Sequence, residues 1–391
     1  MRVSLLPLCL LAAFSLARLS FASGDPVSGH PNWQERSILV LTNACRMDPI
    51  GFRDQHVGSY NILNAYPKVA PIRWNLSLNQ SARFHADEMA SVSGCAFSHN
   101  SCDGTSFSNR VKSYYAASSW IGENIAAGYS DPLGTIQQWI LDDVGNGPAA
   151  DNSGSDGHRK NIMNSVYQEL GVGYASGPNR YTYFWVQDFG GGAGADSSPV
   201  VGGTHLFLET GKTTFMASYY DASGKAPTEA SLFLDQNTYT MALYLGTASQ
   251  GTYSYITAKG TLCHTYAFRF KDGSGKIWTY PQNGRLATIG EGSCTQEYVA
   301  TEVSALRRSL PDRPTIRYIG GALPSIELST MIDLSQLHIL DLHGRLVASL
   351  PVSAGANRIS LPARTFLPSG LYFCTISAGG RNPTVFHLMI P

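Results

Sequence analysis

Three short segments in the first half of the chain carry polar side chains whose types could do chemistry. His99 follows Phe-Ser, Glu123 lies within Gly-Glu-Asn-Ile, and His158 opens His-Arg-Lys-Asn-Ile. Neutral imidazoles and a carboxylate suit zinc and similar divalent ions, with a position left open for water. A metal ion can lower the pKa of such a water toward neutrality and make it a nucleophile. The same residue types also form hydrogen-bond networks without any metal.

Sequence spacing does not by itself bring these residues together. His99 lies 59 positions before His158, and the chain contains no H-E-x-x-H motif. A serine nucleophile is an alternative, since Ser98 adjoins His99 and both Ser153 and Ser155 precede His158. No G-x-S-x-G turn supports it, and the segment before His158 is rich in Gly, Asn, Ser and Asp and would hold a triad poorly.

The elements that must position these side chains can be read from hydrophobic periodicity. Apolar side chains recur at helical spacing from Trp33 to Met89, and a shorter amphipathic segment covers Leu133–Asp142. Two strand-like runs follow, Leu170–Ala175 and Tyr181–Phe189, with Gly-Pro-Asn between them as a turn. Helices on both flanks of late antiparallel strands predict a layered α/β/α arrangement.

The order of six segments resembles one known family. Residues 33–192 resemble the CAP (SCP-type) family of cysteine-rich secretory proteins, antigen-5 venom allergens and plant pathogenesis-related proteins, in its bacterial branch. Each segment alone is a weak signal, whereas six in the family's order are a strong one. The segments are Leu-Asn-x-x-Ala-Arg-x-His-Ala-x-x-Met (78–89) with Phe-Ser-His-Asn (97–100), Gly-Glu-Asn-Ile-Ala (122–126), a helix with Trp139, Gly-His-Arg-x-Asn-Ile (157–162), Leu-Gly-Val-Gly-Tyr (170–174) and Trp-Val-Gln-Asp-Phe (185–189).

The resemblance implies a shared cavity. In that family two histidines and two acidic residues face a central cavity and can hold a divalent ion, which places His99, Glu123 and His158 in those roles. The fourth acid follows a helix Trp by three positions in many members, and here that position is Asp142, a carboxylate one methylene shorter. Alternatively, Asp142 lies on the exposed end of a helix. His85 is expected on a solvated helix face.

The N-terminal residues indicate the cell compartment. Arg2 precedes an apolar run from Val3 to Leu16, and Ser20-Phe-Ala22 follows as a small-x-small cleavage pattern. This pattern predicts a secretory signal peptide over residues 1–23. No later apolar stretch reaches the roughly 18 residues of a transmembrane helix. The formal net charge is zero, so nothing in the composition points to nucleic acid as a partner.

Six cysteines remain after the predicted cleavage, and an even number in an oxidising compartment suggests disulfides. Cys95 and Cys102 bracket a short loop and are the first predicted pair. Cys263 and Cys294 bracket a hairpin-rich stretch and are the second. The two that remain lie in different candidate domains and are left unpaired, namely Cys45 and Cys374.

Composition changes along the chain predict several domains. A glycine-rich segment near residue 190 ends the first, and short strands spaced about ten residues apart follow, as in a β-sandwich. The predicted fold is α/β: a three-layer α-β-α CAP sandwich followed by two all-β, immunoglobulin-like sandwich domains. The predicted segments are a CAP (SCP) domain at 24–195, a β-sandwich at 200–306, a linker at 307–321 and a C-terminal domain at 322–391.

The C-terminal domain resembles type IX secretion sorting domains of Gram-negative bacteria. The resemblance rests on Leu-His-Ile-Leu-Asp-Leu-His-Gly-Arg-Leu-Val (337–347) and Leu-Pro-Ser-Gly-Leu-Tyr-Phe (367–373). It implies a type IX-like secretion machinery as partner and a location outside the cell or on its surface. The last residues depart from the pattern, because they lack the basic side chains often found there. A plain β-sandwich accessory domain is the alternative.

Three functions are compatible with these features. The first is a secreted protein whose pocket binds one divalent ion, zinc or calcium, or a small ligand such as a lipid. The second is a metal-dependent hydrolase of peptide or cell-wall substrates that uses the same pocket. The third is a non-catalytic adhesion protein. The resemblance implies a pocket, and no catalytic residue is singled out.

Overall fold

The structure of the protein is a computed structural model. It describes residues 31–143, 145–192, 198–294 and 296–299, together with the segments 316–319, 325–328, 336–341, 346–351, 358–360, 370–377 and 384–390. The chain divides into two compact units, Met1–Glu302 and Val303–Pro391. The predicted signal peptide, residues 1–23, lies outside the described residues.

The first part of the first unit combines helices with one small sheet. One turn of π-helix, Arg53–Val57, follows the second helix. The helices are α1 (Trp33–Met47), α2 (Pro49–Phe52), α3 (Leu76–Ser91), α4 (Phe107–Tyr114), α5 (Pro132–Leu141) and α6 (Gly157–Met163). The strands are β1 (Arg73–Trp74), β2 (Ile121–Ala127), β3 (Glu169–Ser176) and β4 (Tyr183–Gly190).

Helical periodicity does not continue unbroken from Trp33 to Met89. Helix α1 starts with a capping box between Asn32 and Glu35. Asp48 follows its last residue as the C-cap, and the Asp48 side chain caps α2 by accepting a hydrogen bond from the Gly51 backbone. Pro49 at the start of α2 forces a new helix, because proline cannot donate the hydrogen bond that a continuing helix needs.

Different helices pack on the two faces of this sheet. The strand order is β1-β3-β4-β2, with β1 parallel to β3 and the other neighbours antiparallel. Side chains alternate along a strand, so Val172 and Trp185 pack against α1, α5 and α6 on one face. Ala175 and Val186 pack against α3 on the other face.

Two glycines of β3 let α3 lie directly on the sheet. A Cβ atom at Gly171 would overlap backbone atoms of Leu78 and Asn79, and one at Gly173 would overlap backbone atoms of Ala82. The Leu-Gly-Val-Gly-Tyr segment therefore lets the α3 backbone pack directly on β3. Glycines inside strands often mark such a close backbone contact.

The second part of the first unit consists of two further sheets. One has the order β5-β6-β10-β9; the other has the order β14-β13-β11-β7-β8, with β12 paired to β11. Phe215 and Tyr219 of the one sheet share a buried cluster with Leu232, Phe268 and Phe270 of the other. The strands are β5 (Val200–Leu206), β6 (Lys212–Tyr220), β7 (Glu229–Leu234), β8 (Asn237–Thr240), β9 (Ala242–Thr247), β10 (Gln250–Ala258), β11 (Thr265–Lys271), β12 (Ile277–Tyr280), β13 (Arg285–Ala287) and β14 (Tyr298–Val299).

Helix α1 packs against sheets from both parts of the first unit. It contacts β3 as well as β5, β6, β9 and β10. Leu206, Met216 and Leu245 of the later strands belong to the same buried cluster as Ile38 and Leu39 of α1. At the start of the helix, the Trp33 indole Nε1 donates to the His205 carbonyl (2.7 Å). Both parts therefore share one hydrophobic core.

The described segments of the second unit form two sheets, with strand orders β15-β16-β19 and β18-β17-β20-β21. Strand β15 lies inside the segment 307–321 that is predicted as a linker. Its sequence, Ile-Arg-Tyr-Ile, favours a strand and pairs with residues 325–328. The strands are β15 (Ile316–Ile319), β16 (Ser325–Leu328), β17 (Gln336–Leu340), β18 (Leu346–Pro351), β19 (Arg358–Ser360), β20 (Gly370–Ser377) and β21 (Thr384–Ile390).

The predicted mixture of helices and sheets is confirmed, with many additional strands after residue 195. Both predicted disulfides are present, Cys95–Cys102 and Cys263–Cys294. Cys45 and Cys374 are buried free thiols. Within the described part of the chain, no helix is long and apolar enough to span a bilayer.

Candidate functional site

His99 is held by a buried ion-pair network. Its Nδ1 lies 2.8 Å from Glu123 Oε1, and the other oxygen of Glu123 accepts a hydrogen bond from Arg110 Nη2. The Glu123 and Arg110 side chains are buried, whereas half of the His99 side chain, 52%, is exposed. Arg110 Nη1 also donates to the carbonyl oxygen of His99 (3.0 Å) and to Ser101 Oγ (3.1 Å). The arginine therefore fixes both the carboxylate and the backbone that carries the imidazole.

A second group of contacts fixes the loop that carries His99. His85 and Glu88 of α3 form a buried pair, with Nδ1 and Oε1 2.6 Å apart. His85 Nε2 lies 2.8 Å from the Ser98 carbonyl oxygen, and Glu88 Oε2 accepts a hydrogen bond from the Cys102 backbone (3.1 Å). The Cys95–Cys102 disulfide closes the same loop.

The expectation that His85 lies on a solvated face is wrong. Its side chain is fully buried, because the loop of residues 95–102 folds over this face of α3. The charged neighbours in the sequence suggested a solvated face, and Glu88 is itself turned inward as a partner of the imidazole and of the loop.

His158 has a carboxylate partner of its own. Asp142 caps the C-terminus of α5 in the left-handed region (φ 48°, ψ 49°), a conformation that aspartate tolerates better than most residues. Its Oδ1 lies 2.5 Å from His158 Nδ1, and its Oδ2 accepts from the Arg159 backbone (3.0 Å). The Asp142 side chain is 5% exposed and that of His158 is 35% exposed. Asp142 therefore does not lie on an exposed helix end; its carboxylate faces His158.

Buried polar contacts hold the segment between Asp142 and His158. The fully buried Arg159 guanidinium donates to the carbonyls of Ile140 and Ala149 and to Asp151. Asp156 accepts hydrogen bonds from the Tyr66 hydroxyl and from backbone amides of its own loop. These contacts, together with α6, set the position of the second imidazole.

Two asparagines connect the histidine–carboxylate pairs. Asn161 Nδ2 donates to the Glu123 carbonyl oxygen (3.1 Å) and to Asn124 Oδ1 (2.9 Å). Asn124 Nδ2 in turn donates to the His158 carbonyl oxygen (3.2 Å). The backbones of Glu123 and His158 are therefore joined through one amide network, which contains the Asn residues of both sequence motifs.

Asp188 is a buried acid that sequence analysis assigned no role. It faces Glu123 directly across the β2–β4 pair and is fully buried. Burial, and then the negative charge of Glu123, raise the pKa of Asp188 well above its usual range. In the sequence, the sign of such a residue is an acidic side chain inside the otherwise largely apolar strand β4.

The four predicted site residues thus form two pairs, His99 with Glu123 and His158 with Asp142. In each pair the carboxylate binds Nδ1, and the outer Nε2 has no hydrogen-bond partner among the described residues. Across those residues, no three His, Cys, Asp or Glu side chains are grouped so that they could hold one metal ion. The carboxylates are engaged with imidazole, guanidinium and backbone donors.

The first part of the chain is similar to a known protein family. Residues 40–189, which contain both histidine–carboxylate pairs, match the cysteine-rich secretory protein family, CAP.

Two proteins of Bacillus subtilis (strain 168) are similar in sequence. The uncharacterized protein YkwD is 30% identical over 155 residues, which are 40% of this chain and 46% of YkwD. The uncharacterized membrane protein YlbC is 28% identical over 113 residues, which are 29% of this chain and 28% of YlbC. The chain thus spans less than half the length of these relatives. Among solved structures, an extracellular protein containing an SCP domain from Bacillus anthracis str. Ames is 25% identical, with a TM-score of 0.27, covering 40% of this chain and 39% of that one. Residues 40–189 are thus similar to the CAP family, and the chain is similar in sequence to bacterial proteins.

Proposed function

We propose that this is a secreted protein whose CAP domain binds a divalent ion, or a small ligand that takes its place, at His99 and His158. One observation carries the proposal. Each imidazole is held at Nδ1 by a buried carboxylate, and its Nε2 has no hydrogen-bond partner in the part of the chain that the structure describes. Metal-binding histidines commonly have this arrangement, because the carboxylate fixes the ring and increases its basicity.

The donor set fits an open site better than a closed one. Nε2 of His99 and of His158 would hold the ion, while Glu123 and Asp142 would orient the rings. When bound, the ion would polarise an attached water or ligand oxygen. This differs from the sequence-based expectation that the carboxylates are direct ligands, because their oxygens already accept hydrogen bonds. Zinc is favoured over calcium, since calcium prefers oxygen ligands.

Calorimetric titration of the full chain with zinc chloride tests this proposal. We expect one saturable site in the wild type and its loss in His99→Ala and His158→Ala. The matched control is His264→Ala, which removes an imidazole whose Nδ1 also faces a carboxylate, Asp235 at 2.7 Å. Asp142→Asn should weaken binding by about 10- to 100-fold, the usual effect of removing such a partner.

Zinc binding that is equal in the wild type and in both alanine variants would rule out the metal site. The full-length wild type, titrated in parallel with calcium chloride, should give no comparable signal at these residues. If calcium binds and zinc does not, the choice of ion is wrong while the location stands.

The proposal includes secretion from a Gram-negative bacterium, with residues 1–23 as signal peptide and 322–391 as type IX-like sorting domain. The sequence patterns at the two ends support it, and two disulfides suit an oxidising compartment. The test compares the extracellular fraction of the full chain with that of a chain ending at residue 321, in a host with and without type IX secretion. Equal release in all cases would remove the sorting role.

The finer architecture is part of the same proposal. We expect a three-layer α-β-α arrangement for the CAP domain, supported by the separate clusters on the two faces of its sheet. We also expect immunoglobulin-like sandwiches after it, supported by the shared cluster of the two sheets formed by β5–β14.

A further inference from the structure

A cavity of about 360 Å³ lies in the first unit, near the end of α1 and the edge strand β1. It is separate from the histidine–carboxylate pairs, none of whose residues line it. Two arginines line it, and no aspartate or glutamate does. The other lining residues used below are Ser165, Tyr167, Gln168 and Tyr220. The lining therefore contains two guanidinium groups and no carboxylate.

Arg46 is a buried cation without an acidic partner among the described residues. Its side chain is 1% exposed, and it donates four hydrogen bonds, all to backbone carbonyls. Burial lowers the pKa of Arg46 to about 10, so the guanidinium still carries its charge at neutral pH. The carbonyl oxygens are those of Ala70, Ile162, Asn164 and Tyr167.

These contacts leave the charge of Arg46 only partly compensated. Carbonyl dipoles and the C-terminus of α1 stabilise a cation, but neither supplies a full negative charge. A guanidinium has five N–H groups, so one N–H on Nη2 is not used by the contacts above. Unpaired buried charge is costly, and an anion in the adjoining cavity would offset that cost.

We propose that this cavity binds a small oxyanion, a carboxylate or a phosphate group, between Arg46 and Arg73. Guanidinium groups are the preferred partners of such anions, since their planar donors match the geometry of the oxygens. Tyr167 and Tyr220 offer apolar surface to the organic part of the ligand. The volume lies in the range of small-molecule pockets, about 300–1,000 Å³.

The competing explanation is that Arg46 serves only to fasten the chain segments whose carbonyls it binds. That role requires neither Arg73 nor an acid-free lining. Substitutions of other lining residues therefore separate the two explanations, because they do not remove the Arg46 side chain that binds the carbonyls.

The experiment titrates the full chain by calorimetry with sodium phosphate and, separately, with sodium acetate, at constant ionic strength set with sodium chloride. We expect saturable binding of at least one anion with a Kd of about 1 mM or tighter, a range that few-atom ligands reach. Arg73→Gln should weaken it about tenfold or more, as expected for loss of a charge-assisted hydrogen bond. Ser165→Asp, which adds an acid at an exposed lining position, should do the same.

Arg180→Gln is the matched control, since Arg180 is an exposed guanidinium that lies over the Tyr181 ring away from the cavity. Its affinity should equal that of the wild type. Binding of phosphate alone identifies a phosphate ligand, and binding of acetate alone a carboxylate. No saturable binding of either anion, or equal affinity in the wild type, Arg73→Gln and Ser165→Asp, would overturn the proposal.

Discussion

At the scale of single residues, three buried ionisable groups decide the charge state beneath His99. Arg110 binds Glu123, and Asp188 lies on the neighbouring strand facing the same carboxylate. Two adjacent buried carboxylates share one guanidinium, so the second carboxyl is favoured in its neutral form, in line with the raised pKa of Asp188. With a neutral Asp188, no second negative charge lies beside the buried Arg110–Glu123 ion pair.

This arrangement predicts how substitutions at the two acids combine. Glu123→Gln should destabilise the fold by about 3 kcal/mol, because it removes the partner of a buried arginine. Asp188→Asn should cost less than about 1 kcal/mol, since asparagine resembles the neutral carboxyl. The double variant should cost more than the sum, because Asp188 can no longer ionise to replace the lost charge. Urea unfolding at pH 7 measures all three.

Glu209→Gln is the control for this series. Glu209 pairs with Lys212 at the surface, with about half of each side chain exposed, so its loss should change stability by no more than about 1 kcal/mol. Strict additivity of the two single variants would contradict the idea that Asp188 can take over the charge.

Sequence reasoning predicted four residues of the candidate site and left Asp188 out for a physical reason. His99, Glu123, His158 and Asp142 are predicted from motifs that resemble a family, and spacing alone does not pair them. Asp188 could not be assigned, because its contact with Glu123 depends on the register of β2 against β4, which the sequence does not display.

At the scale of elements, the contact between α3 and β3 positions the His99 loop through His85 and Glu88. Gly173→Ala should push the α3 backbone away from the sheet and destabilise the protein by about 1–3 kcal/mol, the usual cost of overpacking. Thermal or urea unfolding measures this loss of stability.

Gly157→Ala is a suitable comparison for that variant. A Cβ atom at Gly157, in the first turn of α6, meets no heavy atom within 4 Å. We therefore expect Gly157→Ala to leave the free energy of unfolding unchanged or to raise it by up to about 1 kcal/mol. Equal destabilisation by both alanines would argue against a close approach at β3.

Periodicity predicted long elements better than short ones. The amphipathic segment Leu133–Asp142 corresponds to α5, and the runs near residues 170 and 185 correspond to β3 and β4. Strands such as β13 and β14, of three and two residues, are too short for a period to be recognised. They exist because tertiary pairing selects them.

At the scale of the molecule, the two parts of the first unit should unfold together. Helix α1 belongs to a core with side chains from both, so neither part retains a complete core when the other unfolds. We expect a single transition for this unit when tryptophan fluorescence and near-ultraviolet circular dichroism are followed in urea. Two separated transitions, with the strands from residue 200 onward unfolding alone, would show that the shared core is not cooperative.

The junction between the parts also predicts acid sensitivity. His205 is fully buried, and its ring stacks on Trp33. Its Nδ1 lies near the Tyr266 hydroxyl, and its Nε2 lies near the Ile289 carbonyl oxygen. Burial lowers the pKa of His205 to about 3 in the folded chain. In the unfolded chain the pKa of the imidazole is near 6.5, so between these two pH values only the unfolded chain takes up a proton at this residue. Stability is therefore lost as pH falls below about 6.5 and continues to fall toward pH 3.

The size of this effect can be checked with one variant. Between pH 6.5 and 4.5, His205 should account for roughly 2–3 kcal/mol of lost stability, which His205→Gln should lack. The comparison uses the difference in urea midpoints of each protein at the two pH values. Parallel pH dependence in the wild type and the variant would mean that another group causes the acid sensitivity.

Because α1 packs against both parts of the first unit, its sequence should depend on whether the strands after residue 200 are present. The family match ends at residue 189, but Leu39 and Val40 of α1 lie against Gly202 of β5, beyond that boundary. If the CAP segment were transferred to another protein without these strands, the apolar side chains of Leu39 and Val40 would be exposed to solvent. Relatives that lack the strands should therefore carry polar side chains at the positions of Leu39 and Val40, or cover them with a different partner.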